Sequence, residues 1–251
     1  MKIAVSGKGG VGKTTFTALL IRSLADEGKK VLAIDADPDA NLAQALGVKD
    51  STRITPISKM KELIEERTET KLGSMGAFFK LNPKVDDLPE KLSVETDGVR
   101  IMVLGGVQKG GSGCICPEST LLKNLVRHLV VARDEVVILD MEAGLEHLGR
   151  GTAMAVDRLI VVVEPGKRSL ETARQIHQLA GDLGVKNLSL VGNKIRSEKD
   201  KDFLLNNVGP LDFLGFIPFE MEIIEADLEG CPPYEKNLKA MGAVREMIKK
   251  L

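Results

Sequence analysis

Short runs of apolar, mostly β-branched residues recur along the chain, separated by stretches in which apolar residues follow helical spacing. Several runs, such as VVIL at 136–139, are apolar throughout, which is typical of strands covered on both faces. Strands that alternate with helices predict an α/β fold with a doubly wound, mostly parallel sheet, whose ligands bind at the carboxyl ends of the strands. The runs predict strands near 2–6, 30–35, 99–104, 135–140, 158–163, 187–192 and 213–217, and helices near 14–28, 118–133, 169–184 and 235–250.

The segment 51–97 interrupts this alternation. A helix is predicted around 56–67, and the sequence GSMGAFFKLNPKVDDLPEK that follows is rich in glycine, proline and charge. We therefore expect one domain spanning 1–251, with an insertion at about 51–97.

Composition narrows the classes of partner. The net charge of −1 gives no global attraction to nucleic acid or anionic membranes, and the single Tyr and absent Trp argue against a base-stacking surface. The chain begins with a predicted strand and has no apolar run near the roughly 20 residues that span a bilayer. Three cysteines do not make a disulfide framework. We expect a cytoplasmic protein that binds neither nucleic acid nor membrane.

The sequence GKGGVGKT at 7–14 matches the phosphate-binding pattern G-x-x-x-x-G-K-[ST] at every fixed position, between a predicted strand and a predicted helix. Glycines let successive N–H groups surround phosphate oxygens at the positive end of the helix. We expect a P-loop ATPase in which Lys13 contacts the β- and γ-phosphates and the Thr14 hydroxyl binds Mg²⁺. The other expected nucleotide contacts are Gly9, Gly10, Val11, Gly12 and Thr15.

A second lysine, Lys8, lies at the start of the loop, where its side chain is poorly placed to reach its own phosphates. The form KGGVGKT resembles the deviant Walker A motif of the class that includes the nitrogenase iron protein and the MinD and ParA ATPases. In that class the extra lysine reaches the nucleotide of a partner copy. The resemblance therefore implies a homodimer with ATP between two copies and Lys8 as a catalytic residue.

Carboxylates end two of the predicted strands. Strand alternation puts Asp35 and Asp37 on one side at the carboxyl end of the second strand, and Asp140 closes the apolar run 137–139 in the Walker B manner. We expect Asp140 to hold Mg²⁺ through water and Asp35 to support the water shell of the metal. The class pattern D-x-D-P implies that Asp37 positions the attacking water, and Gly144 falls where such proteins sense the γ-phosphate.

Adenine contacts are expected late in the chain. Asn193 ends the sixth predicted strand, where related ATPases commonly read the adenine edge, although it could instead stabilise the turn. Pro218 and Phe219 follow the last predicted strand and resemble the base-flanking segment of the class.

Cys114 and Cys116 form a C-x-C pair in a loop rich in glycine and proline. In extended chain both sulfurs project to one side, with the Cα atoms about 7 Å apart. Two thiolates do not complete a tetrahedral site, but two copies of the motif at a twofold axis would supply four. Such a site suits Zn²⁺, Cu(I), an iron–sulfur cluster or, when flattened, Ni²⁺. Two structural cysteines or a redox pair fit the pattern as well.

The combination of KGGVGKTT, DADPDANL, GAFFKLNPKVDDLPEK, GCICPE and IPF…IIEADLEG resembles the CooC family over essentially the whole chain. Members are nickel-associated ATPases that mature carbon monoxide dehydrogenase, with relatives serving acetyl-CoA synthase. The resemblance implies that Cys114 and Cys116 bind nickel between two subunits, and that the apo form of one of these enzymes is the partner. The segment DMEAG at 140–144 lacks the second Asp of some relatives, which leaves water activation open. Cys231 is interpreted as structural, and His147 as at most a transient metal contact.

Two alternative functions stay open. A positioning ATPase of the MinD or ParA kind would bind membrane or DNA, and its best support is the amphipathic pattern of 236–251, which also fits a helix that packs on the core. An iron–sulfur scaffold ATPase would also use paired cysteines, but such relatives typically carry C-x-x-C near the C-terminus.

Overall fold

The computed structural model describes residues 1–72, 78–105, 116–131, 135–145, 150–236 and 238–251. Within these ranges, strands form where the apolar runs predicted them, and all seven predicted strands are confirmed. An eighth, short strand was not predicted, because its three residues show no buried alternation. The strands are β1 (Lys2–Ser6), β2 (Val31–Ala36), β3 (Val94–Thr96), β4 (Val99–Val103), β5 (Val136–Met141), β6 (Arg158–Val163), β7 (Leu188–Ile195) and β8 (Phe213–Pro218).

Helices cover both faces of the sheet. The four helices predicted from apolar spacing are present, and the last one is described in two parts, on either side of residue 237. Five other helices in the described ranges were not predicted: three have only four or five residues, and the two longer ones bury little and have weak apolar spacing. The helices are α1 (Lys13–Asp26), α2 (Leu42–Ala45), α3 (Lys61–Thr68), α4 (Leu88–Leu92), α5 (Pro117–Val131), α6 (Arg150–Ala153), α7 (Lys167–Leu183), α8 (Glu198–Asn207), α9 (Met221–Glu229), α10 (Pro233–Lys236) and α11 (Leu238–Ile248).

The strand order among the described residues is β3-β4-β2-β5-β1-β6-β7-β8, and every neighbouring pair is parallel except β3 with β4. This is the predicted doubly wound, mostly parallel α/β sheet. The strand that precedes the phosphate loop, β1, lies between β5 and β6, so the chain changes direction across the sheet there. Asp35 on β2 and Asp140 on β5 are register partners. The ligand edge therefore brings both carboxylates beside the loop.

The segment 51–97 adds to one edge of the sheet. Its predicted helix is α3, and the buried side chain of Ile64 belongs to the same apolar cluster as α5. Arg67 donates two hydrogen bonds to the carboxylate of Asp87, at 2.8 and 2.9 Å, and so links α3 to the loop before α4. The segment ends in β3, the edge strand of the sheet, which pairs with β4.

The C-terminal amphipathic pattern belongs to the core. In α11 the side chains of Met241, Val244 and Met247 are buried, in the same cluster as Phe16 and Leu20 of α1. The apolar face that could have supported membrane binding is thus covered by α1 and the sheet. In the described part of the chain, no helix combines the length and the hydropathy needed to cross a bilayer.

Candidate functional site

The phosphate loop connects β1 to α1 as the motif predicted. Gly12 is the residue before α1 and has a φ of 89°, a left-handed conformation that strains any residue with a Cβ. A Cβ at Gly12 would also lie 2.3 Å from Nδ2 of Asn193, so glycine is required there for two reasons. The first turn of α1 carries no acidic residue of its own that would compete with an anion for the positive end of the helix dipole.

The loop lysine is almost buried and faces a carboxylate. Lys13 is 7% exposed, and its Nζ lies 3.9 Å from Oδ2 of Asp37. The other oxygen of Asp37 accepts the backbone N–H of Asp39 at 3.0 Å. The carboxylate of Asp37 thus stands close to where Lys13 would meet a phosphate.

Asp35 and Asp140 are both fully buried, which is unusual for carboxylates. Asp35 accepts the backbone N–H groups of Asp37 at 3.2 Å and of Leu42 at 2.8 Å, so it anchors the loop that leads into α2. Burial, and next the negative charge of Asp140, raise the pKa of Asp35 to about 7. The site therefore concentrates negative charge in a dry place, where a cation is needed to balance it.

Asp140 is arranged differently. Its Oδ1 accepts a hydrogen bond from the hydroxyl of Thr17 at 3.2 Å, whereas Oδ2 has no hydrogen-bond partner among the described residues. Burial raises the pKa of Asp140 to about 6, against the opposing effects of the Thr14 hydroxyl and the Lys13 ammonium. An unpaired, buried carboxylate oxygen next to Thr14 and Lys13 is suited to accept a hydrogen bond from a water molecule that coordinates Mg²⁺.

The segment after β5 is tied to the base of the phosphate loop by Ser6. The hydroxyl of Ser6 donates to the carbonyl of Glu142 at 2.8 Å, and the carbonyl of Gly144 lies 3.4 Å from it. Gly144, the predicted γ-phosphate sensor, is buried in this contact. Ser6 was missed from the sequence, although its place directly before the loop was a usable signal.

Two residues at the end of β7 also contact the loop. Asn193 is 6% exposed and donates from Nδ2 to the carbonyl of Val11 at 2.8 Å. The next residue, Lys194, donates to the carbonyl of Gly10. Asn193 therefore stabilises the turn of the phosphate loop, and its predicted contact with adenine stays a prediction.

A cleft of about 460 Å³ opens beside the end of the loop, between α2 and α9. Its size suits a nucleoside. Pro218 and Phe219, predicted to flank the base, lie at the end of β8 and are not among its described lining residues. The residues that α9 contributes belong to the segment IIEADLEG, which carried the family resemblance but was assigned no nucleotide contact from the sequence. The lining includes Thr14, Thr15, Gln44, Ile223, Ile224, Asp227 and Cys231.

The predicted metal-binding cysteines are only partly described. Cys116 is the residue before α5, and its sulfur accepts the backbone N–H of Ser119 at 3.4 Å, as an N-cap side chain does. Cys114 and His147 lie outside the described residues. Within the described ranges, no three His, Cys, Asp or Glu side chains meet to hold a metal ion. Cys231, expected to be structural, is half-buried in the cleft wall.

Comparisons with known proteins agree with this geometry. Residues 2–233 match the family described as CobQ/CobB/MinD/ParA nucleotide binding domain. The carbon monoxide dehydrogenase accessory protein CooC of Rhodospirillum rubrum is 51% identical over 94% of this chain and 90% of its own. An uncharacterized ATP-binding protein of Methanocaldococcus jannaschii is 48% identical over 92% of this chain and 90% of its own.

Among solved structures, a chain of the MinC:MinD cell division protein complex of Aquifex aeolicus superposes with a TM-score of 0.70 at 22% identity, over 100% of this chain and 95% of its own. A ParA family ATPase from Chlorobium tepidum has a TM-score of 0.70 at 16% identity, over 98% of this chain and 96% of its own. These two likenesses concern the fold.

Proposed function

Because this chain belongs to the CobQ/CobB/MinD/ParA nucleotide-binding family and is a P-loop ATPase of the CooC type within it, we propose that it matures a nickel enzyme by carrying Ni²⁺ in a site shared by two copies of the chain. The observation that carries the proposal is the 51% identity to a carbon monoxide dehydrogenase accessory protein over 94% of this chain. The client is then apo carbon monoxide dehydrogenase or acetyl-CoA synthase. The protein works in the cytoplasm, where thiols stay reduced.

The donor set beside the loop fits Mg²⁺. The unpaired Oδ2 of Asp140 and the hydroxyl of Thr14 are hard oxygen donors, and Asp35 adds negative charge beside them. Bound Mg²⁺ neutralises charge that develops on the β- and γ-phosphate oxygens. Asp140 would hold water ligands of the ion, and Asp35 would keep the loop to α2 in place.

The pair of Lys13 and Asp37 provides a nucleotide-dependent change. The ammonium of Lys13 faces the carboxylate of Asp37 at 3.9 Å. The phosphates of ATP would replace the carboxylate of Asp37 as the partner of the Lys13 ammonium. Asp37 would then be free to orient the attacking water. Lys8, half-buried at the start of the loop, would reach the phosphates bound by the partner copy.

The adenosine part of ATP would lie in the cleft between α2 and α9. Thr15 at one end is next to the phosphate loop, and Ile223 and Ile224 offer apolar contact for the base. Asp227 supplies an acceptor for ribose hydroxyls. Asn193 would read the base edge with its amide oxygen, because its Nδ2 is occupied by the carbonyl of Val11.

The thiolates would carry the nickel as cargo. Cys116 begins α5, so a metal-bound sulfur there has its negative charge at the positive end of a 15-residue helix. With Cys114 two residues earlier, each copy supplies two thiolates and the dimer four. Hydrolysis of ATP would change the spacing of the two copies and so the geometry around the ion.

The test is ATP-dependent activation of a nickel-free client. Purified apo carbon monoxide dehydrogenase is incubated anaerobically with limiting Ni²⁺, Mg²⁺ATP and this protein, and its activity is followed. The proposal predicts activation by the wild type and by Cys231→Ser, and none by Cys114→Ser/Cys116→Ser. Equal activation by the double variant would show that Cys114 and Cys116 are not needed for activation of the client. Sedimentation with liposomes or DNA in the presence of ATP, independent of both cysteines, would favour a positioning ATPase instead.

A further inference from the structure

Two consecutive side chains of β7 hold two consecutive carbonyls of the phosphate loop. Nδ2 of Asn193 lies 2.8 Å from the carbonyl oxygen of Val11, and Nζ of Lys194 lies 2.5 Å from that of Gly10. The exposed rim of the loop, Gly9 and Gly10, has no Cβ with which to pack. An external anchor is therefore the means by which such a flexible stretch keeps one conformation.

The backbone at Lys194 is unusual in a way that serves this contact. Its φ is 59°, a left-handed value that residues with a Cβ avoid, and the pairing of β7 with β8 shifts register between Gly192 and Ile195. An observed backbone outlier next to a binding loop points to a functional constraint. The irregularity directs the ammonium of Lys194 over the loop.

The ammonium is held from its other side by Glu164. The distance from Nζ of Lys194 to Oε2 of Glu164, directly after β6, is 3.0 Å. The backbone N–H of Glu164 in turn donates to the hydroxyl of Ser169 in the first turn of α7 at 3.1 Å. A chain of contacts thus runs from α7 through β6 and β7 to the loop.

Peptide geometry gives this contact a consequence for phosphate binding. The carbonyl of Gly10 and the N–H of Val11 belong to one planar trans peptide and point in opposite directions. A carbonyl held by Lys194 therefore fixes the N–H of Val11 on the opposite side of that peptide, away from Lys194. On that side the N–H makes a long hydrogen bond, 3.4 Å, to the carbonyl of Lys8. Inward N–H groups are what a phosphate loop uses to hold its anion.

We propose that Lys194, held by Glu164, is a positioning residue that fixes the Gly10–Val11 peptide so that the N–H of Val11 is available to nucleotide phosphate. Lys194 acts through the loop backbone and does not touch ATP. The inference rests on ATP binding by the loop and is independent of nickel delivery and of the dimer. A nucleotide measurement can therefore fail without affecting the metal proposal, and the reverse also holds.

The test compares nucleotide affinity, turnover and thermal stability in four variants and a control. Lys194→Met is expected to weaken ADP and ATP alike by about tenfold, the loss of one hydrogen bond to a charged group, and to raise KM similarly while kcat at saturation stays within about threefold. Glu164→Gln gives a smaller loss of about threefold, and Lys194→Arg stays near wild type. Lys199→Met removes the same charge from an exposed position on α8 and is expected to change nothing.

Lys194→Gly separates positioning from folding. Glycine accepts the φ of 59°, so this variant is expected to melt no lower than wild type and yet to bind ADP and ATP as weakly as Lys194→Met. Unchanged affinities in Lys194→Met, or wild-type affinity in Lys194→Gly, would overturn the proposal. A lower melting temperature of Lys194→Met with wild-type KM would also overturn it, because the contact would then be structural only.

Discussion

Replacing Asp140 with Asn should stabilise the nucleotide-free protein while abolishing ATP hydrolysis. The carboxylate is 1% exposed, one of its oxygens has no hydrogen-bond partner among the described residues, and buried Asp35 is its register partner on the next strand. Raising the pKa of this carboxyl from 3.8 to about 6 makes its ionisation in the folded state costlier by about 3 kcal/mol. Asn keeps the shape and removes the charge, so it should recover up to about that amount at pH 8.

The sign of the pH dependence follows from the raised pKa. Below pH about 4 the carboxyl is protonated in both the folded and unfolded chain, and the penalty is absent. Above pH about 6 it is ionised in both, and the penalty is complete. The gain in the free energy of unfolding of Asp140→Asn should therefore be small near pH 4.5 and largest near pH 8. Asp35, whose pKa is raised to about 7, makes the wild type lose further stability over the same range.

Urea unfolding of nucleotide-free, chelator-treated protein at the two pH values measures this difference. Asp202→Asn, on the exposed side of α8, is the matched control and should change stability at neither pH. Mg²⁺ADP should raise the melting temperature of the wild type more than that of Asp140→Asn. An Asp140→Asn variant no more stable than wild type at pH 8 would show that the buried charge of Asp140 carries no cost.

Three further changes have defined outcomes. Gly12→Ala would place a residue with a Cβ at a φ of 89°, with that Cβ 2.3 Å from Nδ2 of Asn193. The variant should lower the free energy of unfolding by about 2 kcal/mol and abolish ATP binding, as measured by chemical denaturation and calorimetry. A variant with unchanged stability and ATP binding would contradict the close contact. Cys116→Ala should lose about 1 kcal/mol of stability because its sulfur caps α5, whereas Cys116→Ser keeps an acceptor; equal thermal melts would show that the cap contributes nothing. Tyr234 is the single tyrosine in a chain without Trp, and burial raises its pKa to about 12, so absorbance titration should show ionisation near 12 when folded and near 10 in urea. Stability should correspondingly fall only as the pH rises above about 10, and a folded-state midpoint at 10 would contradict the burial of the phenol.

The fold was largely predictable from sequence because most of its strands are apolar runs that are easy to recognise. Runs such as LIVVV at 159–163 are buried on both faces, and the phosphate loop fixes which strand comes first at the site. The short strand β3 and helix α9 were missed because neither carries a sustained apolar period. The position of Asp35 and Asp140 at the ligand edge of the sheet was also predictable, because each lies near the carboxyl end of its strand.

The hydrogen-bond partners of each side chain at that edge could not be predicted from the sequence. Nothing in the pattern shows that Asp35 accepts two backbone N–H groups, or that one oxygen of Asp140 is left unpaired. Lys194 looks like an ordinary surface lysine until its φ of 59° and its two partners are seen. Local periodicity carries no information about such contacts, whether they lie within one loop, as for Asp35 and Leu42, or join distant parts of the chain, as for Lys194 and Gly10.

Anaerobic titration with Ni²⁺, followed by mass measurement under native conditions, would detect a thiolate site shared by two copies of the chain. We expect one Ni²⁺ per dimer in the wild type and in Cys231→Ser, and loss of the ion in Cys114→Ser/Cys116→Ser. Zn²⁺ in a parallel titration should compete for the same site, because four thiolates suit both ions. No bound ion, or one ion per monomer that survives the loss of both cysteines, would contradict this expectation.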